Sequence, residues 1–176
     1  MSFIVAIDGP AGSGKGTVTE IISKKLGLVN IASGSAYRCV ALETINRNIN
    51  IEEKQKIIDL LNEIKIEFKI EDGRDVIYLN GENVTNKLRE KAVAKIVSQV
   101  SAIKEVRFAL NDIFRKCADN QNVIMEGRDI GTYVFPNADI KIYLDATPEE
   151  RAQAKKDEIL KLGRVMVANL IAYRKN

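Results

Sequence analysis

The sequence of 176 residues predicts an α/β fold, in which helices cover both faces of a parallel β-sheet that carries a small antiparallel insertion. Three observations support this fold class. Short, continuously apolar runs typical of buried strands alternate with helical patterns. A glycine-rich loop, residues 9–17, directly follows the first run, and alternation of apolar and polar residues is confined to the segment 64–86. The length fits a single domain, residues 1–176.

The first third of the chain predicts a strand, the loop and three helices. Residues 3–7 are continuously apolar and predict a buried strand. The helix after the loop is expected to end before Gly27, because glycine is common just beyond a helix C-terminus. Helical spacing predicts two further helices, at 36–47 and around 57–61. The apolar face of the helix after the loop is predicted to consist of Val18, Ile21, Ile22 and Leu26.

The remainder contains the insertion and the other core strands. Residues 64–70 and 76–79 flank a turn at 71–74, which predicts an antiparallel hairpin. Two helical patterns fill 90–116 and are broken near Ser101. The runs 123–125 and 140–144 predict two more core strands. Pro148 is expected in the first turn of a helix, and residues 156–176 are expected to form an atypical, amphipathic tail.

Composition excludes several classes of function. The 27 Lys and Arg residues are scattered among 24 Asp and Glu residues, so no basic patch for nucleic acid is predicted. The absence of histidine excludes Ser-His and Cys-His catalysis. Cys39 and Cys117 lack the spacing of a zinc site, and no apolar run approaches the about 20 residues that span a bilayer. We expect a cytoplasmic monomer with no nucleic-acid or membrane partner and no metal site built from protein ligands.

The loop GPAGSGKGT at 9–17 has the pattern that binds phosphate. Glycines let consecutive backbone N–H groups wrap a polyphosphate, the following helix N-terminus adds partial positive charge, and Lys15 reaches the outer phosphates. Gly16 stands where this P-loop pattern usually has Ser or Thr, which leaves Thr17 as the nearest hydroxyl for phosphate or hydrated Mg²⁺. The GKGT ending is typical of nucleoside monophosphate kinases. The residues predicted to bind ATP are Gly9, Gly12, Ser13, Gly14, Lys15, Gly16 and Thr17.

Six segments in the same order closely resemble bacterial cytidylate kinases. They are IDGPAGSGKGT at 7–17, GSAYR at 34–38, LNGENV at 79–84, SQVS at 98–101, EVR at 105–107 and EGRDIGTYVFP at 126–136. The last segment is the most discriminating, and the likeness covers about residues 3–155. The resemblance implies a P-loop NTPase-type sheet and an enzyme of pyrimidine metabolism that moves the γ-phosphate of ATP, with Mg²⁺, to CMP or dCMP. It also implies that the insertion at 64–86 lies on the monophosphate-binding side.

The resemblance also implies roles for individual side chains. Arg38 and Arg128 would hold the acceptor phosphate, because a guanidinium fork matches phosphate oxygens, and together with Lys15 they would be the catalytic groups. Asp129 would accept a hydrogen bond from the exocyclic amino group of cytosine, and Arg107 would donate to the ring acceptors. Ser33 and Ser98 complete the predicted substrate contacts. Taken singly, each arginine is equally compatible with a solvated surface charge, and Asp129 with a turn cap.

Two departures from the family pattern leave alternatives open. Ala32 stands where family members carry an acidic residue before the Tyr37-Arg38 pair, and residues 156–176 lack most of an arginine-rich lid. Because phosphoryl transfer depends on cations around the transferred group, we expect slower turnover rather than weaker binding. The alternatives are a degenerate or truncated nucleotide-binding protein without catalysis, and a kinase for another nucleoside monophosphate.

Overall fold

The computed structural model describes residues 2–10, 12–145, 147 and 149. Among them, a parallel sheet has the strand order β2-β6-β1-β7 and an antiparallel sheet the order β3-β4-β5. A 3₁₀ turn lies at Lys87–Arg89 and a π-helical turn at Ile130–Val134. The strands are β1 Ile4–Asp8, β2 Val29–Ala32, β3 Ile66–Glu71, β4 Arg74–Leu79, β5 Glu82–Asn83, β6 Val123–Gly127 and β7 Ile140–Tyr143; the helices are α1 Lys15–Leu26, α2 Ser33–Asn46, α3 Lys54–Leu60, α4 Lys91–Ser101 and α5 Lys104–Ala118.

Helices pack on both faces of the parallel sheet, as the sequence predicts. Side chains alternate along β1, so that Val5 and Ile7 face one side and Ala6 faces the other. The first side packs against Val18 and Ile22 of α1. The second side belongs to the larger core, to which α2, α4 and α5 contribute. No helix in the described part of the chain is both long enough and apolar enough to cross a membrane.

The register of the parallel strands brings the functional segments to one edge. Asp8 at the end of β1 pairs with Gly127 at the end of β6, and Ala32 at the end of β2 pairs with Glu126. Consequently the phosphate loop, the start of α2 and the segment after β6 all begin at the carboxyl edge of the sheet. Open α/β sheets bind their ligands at this edge.

The antiparallel sheet confirms the predicted insertion. β3 and β4 pair from Ile66 opposite Leu79 to Glu71 opposite Arg74. Alternate residues of these strands are buried and join the larger core, which fixes the hairpin against the rest of the protein. β5 adds two residues to the free edge of β4.

The apolar face predicted for α1 is wrong in part. Ile21 and Leu26 are 50% and 62% exposed, whereas Lys15, Thr19 and Ser23 form the buried face. These three positions are four residues apart and therefore lie on one side of a helix. Placing Lys15 against the loop turns this small, polar side toward the sheet. Ser23 satisfies its hydroxyl by donating a hydrogen bond to the Leu28 carbonyl at 2.8 Å.

Other boundaries differ from the sequence predictions. β2 was not predicted, because four residues that include Asn30 are too short and too polar for a clear apolar run. The π-helical turn at Ile130–Val134 was not predicted either. α2 begins at Ser33, three residues before its predicted start. The predicted helix at Pro148 and the predicted tail at 156–176 lie outside the described residues.

Candidate active site

The phosphate loop begins with a backbone contact that only glycine allows. Gly9 has φ 153°, and a Cβ atom at this position would lie 2.1 Å from the Leu144 carbonyl oxygen. The Leu144 N–H donates a 2.7 Å hydrogen bond to the carbonyl of Asp8, the residue before Gly9. The start of the loop is therefore packed directly on the backbone that follows β7.

The loop leads into a helix start that is open to an anion. Gly14 is the N-cap of α1 with φ 82°, and it provides no side chain to accept a hydrogen bond from the first turn. The first turn contains no acidic residue. The N–H groups of Lys15, Gly16 and Thr17 are thus left for a ligand, and the helix dipole makes this end partially positive.

Lys15 is placed inside the loop. Lys15 is only 8% exposed, and its Nζ donates a 2.7 Å hydrogen bond to the Pro10 carbonyl. An ammonium group has three N–H donors, so two remain for phosphate oxygens. Ser13 Oγ is buried with no hydrogen-bond partner among the described residues. A loop with free donors and an orphan hydroxyl fits a bound polyphosphate.

A cavity of about 480 Å³ adjoins the loop and collects residues that are distant in sequence. Lys15 from the loop, Ser33 from α2 and Arg107 from α5 line it together with Arg128 and Asp129, which follow β6. All five were predicted from the sequence as site residues. Apolar side chains complete the walls, and they are contributed by Phe114, Met125, Ile130 and Val134.

Arg107 and Asp129 form an ion pair within this cavity. Arg107 Nη2 lies 2.9 Å from Asp129 Oδ2. Both side chains are partly exposed, so the pair contributes little to stability, but it fixes each group relative to the other. Tyr37 also lines the cavity. Burial raises the pKa of the Tyr37 phenol, while the nearby Arg107 lowers that pKa and Asp129 raises it.

Two of the predicted substrate contacts, Arg38 and Ser98, do not line the cavity in the described structure. Arg38 donates from Nη1 to the Leu88 carbonyl at 3.2 Å, which directs part of its guanidinium toward the 3₁₀ turn. Ser98 is exposed on α4, and its carbonyl accepts a 2.9 Å hydrogen bond from the Ser101 hydroxyl. Ser101, one turn further along, lines the cavity instead. The roles of Arg38 and Ser98 remain predictions.

A larger cavity, about 640 Å³, lies between β3 and α5. Its walls contain Lys65, Glu67 and Lys69, and no residue of the phosphate loop reaches it. Burial raises the pKa of the Cys117 thiol at its wall to about 11, so this thiol is not an activated nucleophile. The larger volume therefore does not make this cavity the functional site. The smaller cavity is the better candidate, because the phosphate loop and the Arg107–Asp129 pair meet there.

Comparison with known proteins identifies the family. The sequence model of the cytidylate kinase family matches residues 5–173. The chain belongs to the cytidylate kinase family. It is 44% identical over 159 residues to a cytidylate kinase of Caldicellulosiruptor bescii and 46% identical over 159 residues to one of Caldicellulosiruptor saccharolyticus; each match covers 90% of this chain and 70% of the relative. A cytidylate kinase of Fusobacterium nucleatum is 45% identical over 159 residues, covering 90% and 71%.

Ala32, one of the two departures from the family pattern named above, lies at the carboxyl edge of the sheet next to the candidate site. Ala32 is the N-cap residue of α2, and it offers no side chain to the first turn of that helix. It is also the register partner of Glu126 in the neighbouring strand. An acidic residue here would both cap α2 and stand beside the Glu126 carboxylate.

Sequence reasoning missed three polar residues of the cytidylate kinase site. Glu126 Oε1 lies 3.5 Å from the position of a Cβ atom on Gly16, so its carboxylate faces the start of α1. Asn111 is 5% exposed and lines the cavity one turn from Arg107. Asp8 is buried at the end of β1. Asp8 and Glu126 both stand within segments that resemble the family, but no role was assigned to either of them.

Proposed function

We propose that this member of the cytidylate kinase family transfers the γ-phosphate of ATP to CMP or dCMP, giving ADP and CDP or dCDP. The observation that carries the proposal is the single cavity that Lys15 of the phosphate loop shares with the Arg107–Asp129 pair. A donor phosphate held at Lys15 and a base held at the pair would lie in the same cavity. Family membership favours this activity over a nucleotide-binding protein without catalysis.

ATP would be held by the loop and the start of α1. The free N–H groups of the first helical turn and the two unused donors of Lys15 bind phosphate oxygens. Mg²⁺ would be held mainly by phosphates and water, with the Thr17 hydroxyl and the Glu126 carboxylate as the protein groups closest in chemistry to its needs. When bound, Mg²⁺ neutralises charge on the transferred phosphate.

CMP would lie with its base against the charged pair and its phosphate toward Lys15. Asp129 accepts a hydrogen bond from the exocyclic amino group of cytosine. A uracil carbonyl at the same place would face a carboxylate that has no hydrogen to donate. Arg107 donates to the ring acceptors. Arg128 and Arg38 bind the acceptor phosphate, and the transfer proceeds in line without a covalent intermediate.

The hydroxyls of Ser33 and Ser98 complete the proposed acceptor contacts. Ser33 lines the cavity and donates to the Glu126 carbonyl at 3.4 Å, which holds it at the sheet edge. We further propose that the chain functions as a single domain and a cytoplasmic monomer, with nucleotides as its partners.

An ADP-release assay with CMP, dCMP, UMP and AMP tests the function. The wild-type chain is expected to release ADP fastest with CMP or dCMP. Lys15→Ala should abolish the monophosphate-dependent rate, because it removes the only loop cation that reaches the phosphates. Lys25→Ala, on the exposed last turn of α1, is the matched control and should retain the wild-type rate. If no monophosphate stimulates ADP release above the Lys15→Ala level, the proposed function is wrong.

A further inference from the structure

Asp8 is a buried carboxylate to which the proposed reaction assigns no role. It is the last residue of β1 and is 8% exposed. Its Oδ1 accepts a 2.7 Å hydrogen bond from the Ile130 N–H, and its Oδ2 accepts a 2.8 Å hydrogen bond from the Gly131 N–H. Short hydrogen bonds to an ionised group are about twice as strong as neutral ones. Asp8 is therefore strongly linked to Ile130 and Gly131, although these lie 122 and 123 positions further along the chain.

The two N–H donors belong to the first turn of the π-helical segment, whose N-cap residue is Asp129. An aspartate at an N-cap usually accepts hydrogen bonds from that first turn. Asp129 makes no such bond, and its carboxylate pairs with Arg107 at 2.9 Å instead. Asp8 satisfies the donors that Asp129 would otherwise cap. The aspartate nearest in sequence is thereby left facing the cavity.

We propose that Asp8 is a positioning residue for acceptor selection: by capping the π-helical turn, it keeps the Asp129 carboxylate directed at Arg107 and the acceptor base. This inference rests on the proposed function, because it requires Asp129 to read that base. Asp8 also joins the two halves of the site, since the phosphate loop begins at the next residue. Its backbone carbonyl accepts a hydrogen bond from the Leu144 N–H, so the same residue is anchored both to the π-helical turn and to the backbone after β7.

Asp8→Asn in the full chain is the direct test. Asparagine has the same size but one acceptor oxygen, so its NH₂ group faces one of the two N–H donors. The unpaired donor is then available to the Asp129 carboxylate, which leaves Arg107. We expect the CMP-over-UMP ratio of kcat/KM to fall about tenfold and the KM for CMP to rise, while the KM for ATP changes by less than about threefold.

Asp139→Asn is the matched control. Asp139 directly precedes β7, and its Oδ2 accepts a 2.8 Å hydrogen bond from the Ile4 N–H at the opposite end of β1, so the same chemical change is made at a carboxylate that contacts the same strand away from the site. It should leave the CMP-over-UMP ratio unchanged. Asp8→Asn should also have no further effect on that ratio in an Asp129→Asn background, because both changes act on one carboxylate.

A second variant and a second measurement keep the test decisive. Gly131→Ala adds a Cβ atom 3.2 Å from Asp8 Oδ2 and 3.2 Å from the Lys141 side chain, so it disturbs the same contact without changing a charge. Gly131→Ala should also lower the CMP-over-UMP ratio of kcat/KM. It therefore replaces Asp8→Asn in the test if Asp8→Asn does not fold. Amide exchange at Ile130 or Gly131 should accelerate in either variant, because Asp8→Asn replaces an ionic hydrogen bond with a weaker neutral one and Gly131→Ala displaces the carboxylate. This readout needs no activity.

The outcomes separate this inference from the proposed function. A wild-type chain that releases no ADP with any monophosphate contradicts the function, and amide exchange then decides whether Asp8 caps the turn. A wild-type chain that prefers CMP, together with an Asp8→Asn variant of equal preference, overturns the positioning role alone. Unchanged amide exchange at Ile130 and Gly131 in the folded variants also overturns it.

Discussion

Replacing Ala32 by Asn or by Asp tests the two consequences of its position. Either side chain can accept a hydrogen bond from the first turn of α2, which now has no side-chain cap. Such a cap contributes about 1 kcal/mol. Ala32→Asn is therefore expected to raise the free energy of unfolding by about 1 kcal/mol.

Ala32→Asp adds the same cap and a charge beside Glu126. Adjacent strands lie about 4.8 Å apart, so the carboxylates of two register partners would be about 6 Å apart. Two like charges at this distance repel by about 2.8 kcal/mol at an effective dielectric constant of 20. Both positions are half-buried, and solvent screening reduces this to about 1–1.5 kcal/mol. The repulsion cancels the cap, so Ala32→Asp should be about as stable as the wild type.

Urea or thermal unfolding of the three proteins measures the difference. A gap of about 1 kcal/mol between the Asn and Asp variants corresponds to about 2–4 °C in Tm for a chain of this size. High salt should narrow the gap, because it screens partly exposed charges. We also expect Ala32→Asp alone to raise kcat in the presence of Mg²⁺, since it restores the acid typical of the family. An Asp variant at least as stable as the Asn variant at low salt would refute the inferred proximity of position 32 to the Glu126 carboxylate.

Two further predictions follow from the backbone and the thiols. Gly9→Ala should lower the free energy of unfolding, measured in urea, by about 3 kcal/mol or more, because its Cβ atom would collide with a backbone carbonyl. Gly34→Ala within α2 is the control: its Cβ atom would meet nothing within 4 Å, so this variant should be neutral or more stable by up to about 1 kcal/mol. Equal stabilities of the two variants would contradict the close contact at Gly9. Burial raises the pKa of the Cys39 thiol to about 12 and that of the Cys117 thiol to about 11, so both thiols are protonated at pH 8. They should react with a disulfide reagent only after the protein unfolds. Rapid reaction of the native protein at pH 8 would show that burial does not protect them.

The parts of the site that follow from local chemistry were predictable. The phosphate loop was identified because glycine positions and a following helix determine the local backbone regardless of the rest of the chain. The position of the loop at the carboxyl edge followed from the strand and helix order. The joint approach of Arg107, Arg128 and Asp129 was predicted from the family resemblance rather than from their spacing.

The parts that depend on tertiary contacts were not predictable. The orientation of α1 is decided by Lys15 and the loop, which outweigh the apolar pattern that includes Ile21 and Leu26. The contact of Asp8 with Ile130 joins residues 122 positions apart, and no local pattern indicates it. The direction of a long side chain cannot be predicted from a sequence pattern either. Arg38 is an example, because it donates a hydrogen bond to the Leu88 carbonyl.

The single strand β6 and the two residues that follow it carry three charged residues of the candidate site close together. Glu126 faces the start of α1 and also lines the cavity, and Arg128 and Asp129, two and three residues later, line the same cavity. Because strand side chains alternate in direction, an insertion or deletion of one residue within Val123–Gly127 would reverse the direction of every side chain beyond it. In β6, substitutions should therefore be tolerated more readily than insertions or deletions of one residue.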